Sequence, residues 1–253
     1  MLKTRVIPCL QLIGEGLVKT IKFKNPSYIG DPINTVRIFN ELEVDELCFL
    51  DIRASQENRQ PPFEMLQQIA NECFMPLSYG GGLKDFEAAK RIMSIGFEKL
   101  VINTQAWRQT DLITKLSGHF GAQAVVGSID VKKNFLGKYQ VYINDGVDKI
   151  DMDVVTWAKK LESAGAGEIL LTSMDKDGTW SGFDVDLTKK VADAVTVPVI
   201  ANGGAGSLAH ISEVVKKGNA SAVCLGSMVV YQQKGMGVLV NFPDKIKLAS
   251  ALA

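Results

Sequence analysis

A carboxylate that closes an apolar run is costly to bury unless water or a hydrogen bond meets it, and Asp130 closes such a run, Ala-Val-Val-Gly-Ser-Ile-Asp. That placement suits a general base, with a loop cap as the plainer alternative. Asp51 ends Leu-Cys-Phe-Leu-Asp in the same manner, with a weaker case. Glycine groups at Gly80-Gly81-Gly82, Gly203-Gly204 and Gly226-Ser227 can each present backbone N–H groups to an anion, helped by a helix start that follows. Any one of them could equally be a tight turn. Asn103-Thr104 adds polar groups of the same kind. The run Asp175-Lys176-Asp177-Gly178-Thr179 reads as a turn able to fold over a substrate, and Lys19 offers a cation, unless it is simply solvated. The two histidines, His119 and His210, fall in helical segments, so neither a histidine-centred mechanism nor a metal is expected. No cofactor is expected either.

Something must bring these groups together. Strand-like runs are expected at Arg5–Leu10, Glu46–Asp51, Pro76–Tyr79, Lys99–Asn103, Ala124–Asp130, Glu168–Ser173, Val197–Ala201 and Ala222–Gly226. Amphipathic helical stretches such as Pro32–Leu42, Phe86–Ile95 and Leu208–Lys217 alternate with them. Eight such strands predict an α/β fold, a (β/α)8 TIM barrel, in one domain over residues 1–253. Markers at the strand ends, Leu10, Asp51, Gly80, Asn103, Asp130, Ser173, Gly203 and Gly226, are spaced 41, 29 and 23 residues in the first half and 43, 30 and 23 in the second. The barrel is therefore expected to consist of two duplicated half-barrels.

Chemistry in such a barrel gathers where strands end and loops begin, which adds Thr172 to the candidates. The duplication predicts two phosphate grips, one at Gly81, Gly82, Asn103 and Thr104, the other at Gly203, Gly204, Gly226 and Ser227. Two grips across one mouth imply a long substrate phosphorylated at both ends. The residue placed opposite Asp130 is Gln11, which hydrogen-bonds but does not exchange a proton near neutral pH. A paired-carboxylate mechanism is thus incomplete on these residues. At the other end, Arg5, Glu46, Lys99 and Glu168 share a level about 13–17 Å below the mouth. They could close a salt-bridged ring, although spacing alone favours ordinary surface charges.

Composition narrows the rest. The chain has 253 residues, 28 basic and 28 acidic, and 46% hydrophobic side chains, enough for a full core and without the basic excess of a nucleic-acid binder. No apolar run approaches membrane-spanning length, and the N-terminus shows no signal-peptide pattern. Cys9, Cys48, Cys73 and Cys224 lack CxxC spacing and sit mostly in apolar runs, as the buried free thiols of a cytoplasmic protein would.

Val6-Ile7-Pro8-Cys9-Leu10, Phe49-Leu50-Asp51-Ile52, Tyr79-Gly80-Gly81-Gly82, Ile102-Asn103-Thr104, Ser128-Ile129-Asp130, the Gly165–Ser173 run, Asp177-Gly178-Thr179 and Asn202–Gly206 together resemble the cyclase subunit of imidazole glycerol phosphate synthase, from Met1 to about residue 230. The resemblance implies a barrel docked by its floor on a glutaminase subunit. It also implies ammonia passing up the barrel to a bis-phosphorylated substrate. It makes Arg5, Glu46, Lys99 and Glu168 the gate residues and supports Asp130 as general base and both phosphate grips; Gln11 and Lys19 remain catalytic candidates on their position alone. The first loop departs from the family: Gln11-Leu12-Ile13-Gly14-Glu15 stands where the family usually has Asp-Val-Lys-Asp-Gly. That pattern resembles specialised paralogues that relay ammonia to a sugar-amidating synthetase of polysaccharide biosynthesis, with ordinary histidine-pathway cyclisation as the alternative. The related sugar isomerase barrel of histidine synthesis fits less well, because the floor charges and the Gly-Ala-Gly-Glu-Ile-Leu-Leu-Thr run argue against it.

Overall fold

The structure, a computed structural model, describes residues 4–253. Met1, Leu2 and Lys3, within the expected domain, lie outside the described residues. In chain order the elements begin with β1 (Arg5–Ile13), β2 (Gly16–Ile21), β3 (Lys24–Gly30), α1 (Pro32–Glu41), β4 (Leu47–Asp51), α2 (Phe63–Glu72), β5 (Leu77–Gly80) and α3 (Phe86–Ile95). The middle of the chain forms β6 (Lys99–Ile102), α4 (Thr104–Arg108), α5 (Asp111–Phe120), β7 (Val125–Lys133), β8 (Tyr139–Ile143), β9 (Asp148–Lys149) and α6 (Val154–Ser163). It closes with β10 (Glu168–Ser173), α7 (Val185–Ala192), β11 (Val199–Asn202), α8 (Leu208–Lys216), β12 (Ala222–Leu225), α9 (Ser227–Val230) and α10 (Lys245–Leu252).

Strands β10, β11, β12, β1, β4, β5, β6 and β7 pair in parallel in that order, and β7 returns to β10, which closes the (β/α)8 barrel. These strands are buried on both faces, which is why they read as continuous apolar runs rather than alternating ones. The helices start where the sequence offers a cap. Asp31, Asp85, Asp184 and Ser207 each accept a hydrogen bond from the backbone N–H three residues on, ahead of α1, α3, α7 and α8. One apolar core lies between strands and helices. A second fills the barrel itself, built from Ile7, Cys9, Cys48, Val101, Val126, Leu170, Ile200, Ala222 and Cys224. All four cysteines are free thiols, and only Cys73 is partly exposed.

The strand expectations hold to within two residues at either end, except that β1 and β7 each run three residues further than expected. The hairpins were not anticipated. Lys19 sits on strand β2, because β1 runs past the barrel rim and folds back at Gly14 (φ 60°) with Gln11 opposite Val18. The same happens half a barrel away: β7 also extends nine residues, and Asp130 faces Tyr142 of β8 in antiparallel register. Each half thus opens on a long strand carrying its own hairpin, a sign of the duplication independent of marker spacing.

Candidate active site at the mouth and ion-pair ring at the floor

Parallel strands end together, so residues far apart in sequence meet at the rim. A cleft of about 920 Å³, open to solvent, is bounded by Gln11, Asp51, Gly81, Gly82, Asn103, Thr104, Asp130 and Thr172, all anticipated from the sequence. Phe23, Lys84, Arg108, Asp145 and Asn202 line it as well and were not anticipated. A smaller cavity of about 360 Å³ is lined by Gln11, Lys19, Asp177, Gly203, Gly204, Gly226 and Ser227, with Cys9 and Cys224 at its base. Gln11 and Asn202 border both cavities and so stand between them.

Asp130 is partly exposed at the base of the larger cleft, where Asn103 Nδ2 donates to its Oδ2 at 2.9 Å. Burial pushes its carboxyl up to about 7, and the Asp145 charge adds to this, while hydrogen bonds from Thr172 and Asn103 pull the other way. Burial likewise raises Asp145 to about 7, opposed by Arg53 and reinforced by Asp177 and Asp51. Two neighbouring carboxyls that each take up a proton near neutral pH can give and accept protons at working pH. Asp145 escaped the sequence reading because it lies in the turn after β8 rather than at a barrel strand end.

Gln11 Oε1 accepts from the Thr20 backbone N–H at 3.1 Å and from the Thr20 hydroxyl at 3.3 Å, so it ties the first hairpin to the barrel. Asp177 does similar work: its Oδ2 accepts from Thr20 Oγ1 at 2.7 Å and from the Phe23 N–H at 3.3 Å. Lys19 Nζ lies 3.9 Å from the other Asp177 oxygen and is almost wholly buried beside Gly226. The Asp175–Thr179 turn therefore folds over the first hairpin, with the smaller cavity beneath. Asp51 is engaged by its own loop. Arg59 grips both its oxygens at 2.9 and 3.1 Å, and the Arg53 and Ala54 N–H groups donate to Oδ1.

The glycines are demanded by the backbone. Gly82 has φ 66° and Gly203 φ 92°, and a Cβ on either would lie 2.7 Å from a carbonyl oxygen, of Arg59 and Ser173 respectively. The helices that follow Asn103 and Gly226, α4 and α9, are only five and four residues long, so their dipoles are weaker than the sequence reading assumed. Lys84, Arg108 and Lys19 supply full positive charges along the two cavities.

At the opposite end the four strand-start charges do close a ring. Arg5 donates to Glu46 and to Glu168 at 2.6 Å each, and Lys99 donates to Glu46 at 3.0 Å and to Glu168 at 3.2 Å. Burial opposes the charge on Arg5, but the Glu168 and Glu46 carboxylates outweigh it and raise its pKa. Spacing could not have shown this, since the ring needs four strands in register around a closed barrel. Below it lies a hollow lined by the same four residues with Asp45, Pro76, Glu98 and Gln123.

The family model described as "Histidine biosynthesis protein" matches residues 5–235. The chain is 50% identical over 248 residues to "Putative imidazole glycerol phosphate synthase subunit hisF2" of Pseudomonas aeruginosa, covering 98% of this chain and 99% of that one. It is 45% identical over 246 residues to the similarly named HisF protein of Leptospira interrogans, 97% of each. With "Imidazole glycerol phosphate synthase subunit HisF" of Methanococcus vannielii it shares 43% over 253 residues, 92% of this chain and 93% of that one.

Proposed function

The chain belongs to the HisF-like cyclase family of imidazole glycerol phosphate synthase, and we propose that it is the ammonia-accepting synthase subunit of a glutamine amidotransferase complex. A glutaminase subunit docks on the floor as a heterodimer, around the hollow beneath the Arg5–Glu46–Lys99–Glu168 ring. Ammonia passes the ring and the apolar lumen and reaches a bis-phosphorylated substrate at the mouth. The observation that carries this reading is one axis: a closed ion-pair ring, then a layer of apolar and thiol side chains, then a carboxyl poised near 7. An apolar lining suits neutral ammonia and disfavours ammonium, because a charge pays a large desolvation penalty there.

At the mouth, one phosphate sits at Gly81, Gly82, Asn103 and Thr104, with Lys84 and Arg108 near, and the other at Gly203, Gly204, Gly226 and Ser227 with Lys19. The two cavities meet at Gln11, which supports a ligand spanning both. Asp130 accepts the proton released as the ammonia nitrogen bonds to carbon. Thr172 and Asn103 hold that carboxyl in place, while Asp51 and Asp177 shape the walls. The whole chain, 1–253, acts as one domain, without a cofactor, in the cytoplasm. The test is ammonium-driven turnover of the imidazole-pathway substrate by the purified chain, followed by glutamine-driven turnover once a glutaminase is added. Absence of both would overturn the reading.

Gln11 favours a second reading. Its amide oxygen is committed to Thr20 and it cannot act as an acid, which supports a conduit that hands ammonia to a separate synthetase amidating a sugar nucleotide for polysaccharide biosynthesis. In that case the glutaminase still binds the floor, but ammonium-driven cyclisation by the barrel alone is absent.

A further inference from the structure

The geometry points to Asp145 as the second proton-transfer residue of the mouth, paired with Asp130 across the cleft so that one carboxyl holds a proton while the other is free. This rests on the reading that ammonia is used at this mouth. Asp130 faces Tyr142 across the β7–β8 hairpin, and Asp145 follows Tyr142 by three residues, within about 10 Å along the strand direction. Both carboxyls line the same cleft.

The turn that carries Asp145 is held in an uncommon shape. Asn144, Asp145 and Gly146 have φ of 56°, 56° and 74°, three successive residues in the left-handed region. Two clamps hold it there. The Asn144 N–H donates to Thr104 Oγ1 at 2.9 Å, and Gln56 Nε2 donates to the Asn144 carbonyl at 3.2 Å. Thr104 adjoins Asn103, whose amide holds Asp130. The segment at 103–104 therefore holds the Asp130 carboxyl through Asn103 and the turn that carries Asp145 through Thr104. The neighbours of Asp145 that bear on its charge are Arg53, Asp177 and Asp51; those of Asp130 are Asp145 and Asp177. Asp51 and Asp177 are themselves occupied by Arg59 and Lys19. Lys84 and Arg108 complete the charged lining of the cleft. Like-charged neighbours of this sort push one carboxyl to remain protonated.

In the proposed step, the C–N bond forms as the π bond of a substrate carbonyl opens. Asp130 takes a proton from the ammonia nitrogen and Asp145 gives one to the carbonyl oxygen, so the net change is addition of ammonia across C=O. Proton exchange between the two carboxyls and solvent resets the pair. Gln11 is not required to titrate.

The test uses the full chain with 13C-labelled aspartate, following the side-chain carboxyl carbons against pH. Asp130 and Asp145 should titrate together near neutrality, and Asp145→Asn should lower the Asp130 midpoint by about 0.5–1 pH unit. Asparagine tolerates the left-handed region, so the turn persists in this variant. An Asp130 titration unmoved by Asp145→Asn would overturn the pairing. In ammonium-driven turnover, Asp145→Asn should lose about 10²-fold or more in kcat and lose one limb of the pH profile, with partial rescue in Asp145→Glu. Wild-type rate and pH profile in Asp145→Asn would overturn the catalytic role. A wild-type chain whose carboxyls titrate as a pair but which shows no turnover would refute the proposed reaction and the role of Asp145 in it, while upholding the pairing.

Discussion

Floor and mouth both gather charged side chains at the ends of the same barrel, yet they are arranged in opposite ways. At the floor, two cations alternate with two carboxylates, and each carboxylate meets both cations within 3.2 Å. At the mouth, Asp51, Asp130 and Asp145 line the larger cleft and Asp177 the smaller cavity, with Asp51 engaged by Arg59 and Asp177 by Lys19. The direct hydrogen-bond partners of Asp130 are the neutral Asn103 and Thr172. Matched charge holds strands together, whereas unmatched charge in a partly dry cleft keeps a proton close at hand. The contrast separates an end built for pairing from an end where carboxyls are left without a matching cation.

The largest expected effect comes from removing the unmatched carboxyl. Asp130→Asn should cut ammonium-driven turnover by about 10²–10⁴-fold. In the wild type the same rate should rise as pH approaches about 7, where the Asp130 carboxyl loses its proton, and fall above it as Asp145 loses the proton it donates. Stability should move the other way. Because burial raises this carboxyl, the folded state keeps a proton between about pH 4 and 7 that the unfolded chain releases, so native stability falls as pH rises across that window. Denaturant titrations of Asp130→Asn should show a gain of about 1–3 kcal/mol at pH 8 and little at pH 4. A loss of stability at pH 8 would erase the contrast with the floor.

Next in size is the matched ring. Lys99→Met leaves Glu46 and Glu168 facing each other with one cation between them, and should cost about 3 kcal/mol in denaturant unfolding. Turnover driven by glutamine and a glutaminase should fall more than turnover driven by ammonium. Equal losses in the two assays would mean that the ring stabilises the barrel without governing ammonia entry.

Gly82→Ala should show a smaller change. A Cβ there meets the Arg59 carbonyl, and the left-handed backbone is strained, so about 1–3 kcal/mol of stability should be lost. Inorganic phosphate binding at the larger cleft should weaken with it, as read by calorimetry. Smallest of all is Gln11→Asp, which should change ammonium-driven turnover by less than about tenfold, far short of what a newly supplied catalytic acid gives. The shorter side chain gives up its contact with Thr20, and Asp145 already carries the second proton. A gain of 10²-fold or more would return that role to the end of β1.

Much of this was legible in the sequence. The eight barrel strands, the duplication, and the gathering of Gln11, Asp130, the glycine groups and Asn103-Thr104 at one rim follow from local patterns. Apolar runs of strand length, repeat spacing and glycines at left-handed positions are demands each stretch of backbone makes for itself. Contacts between distant stretches had to await the closed barrel. Arg5, Glu46, Lys99 and Glu168 become a ring only because four separate strands start at one level around a cylinder. Asp51 lines the cleft as expected, but its pairing with Arg59, eight positions on, shows only in the folded loop. Asp145 sits in a turn with no apolar run before it that ends at a barrel strand, and only the fold-back of β8 along β7 carries it over Asp130. Local propensity reaches a few residues along the chain, whereas the charge a side chain meets depends on which distant segments pack around it. Local pattern thus suffices for the scaffold and most of the rim, whereas the partner each carboxylate meets is set by long-range packing, which pairs Asp51 with Arg59 and leaves Asp130 among neutral donors.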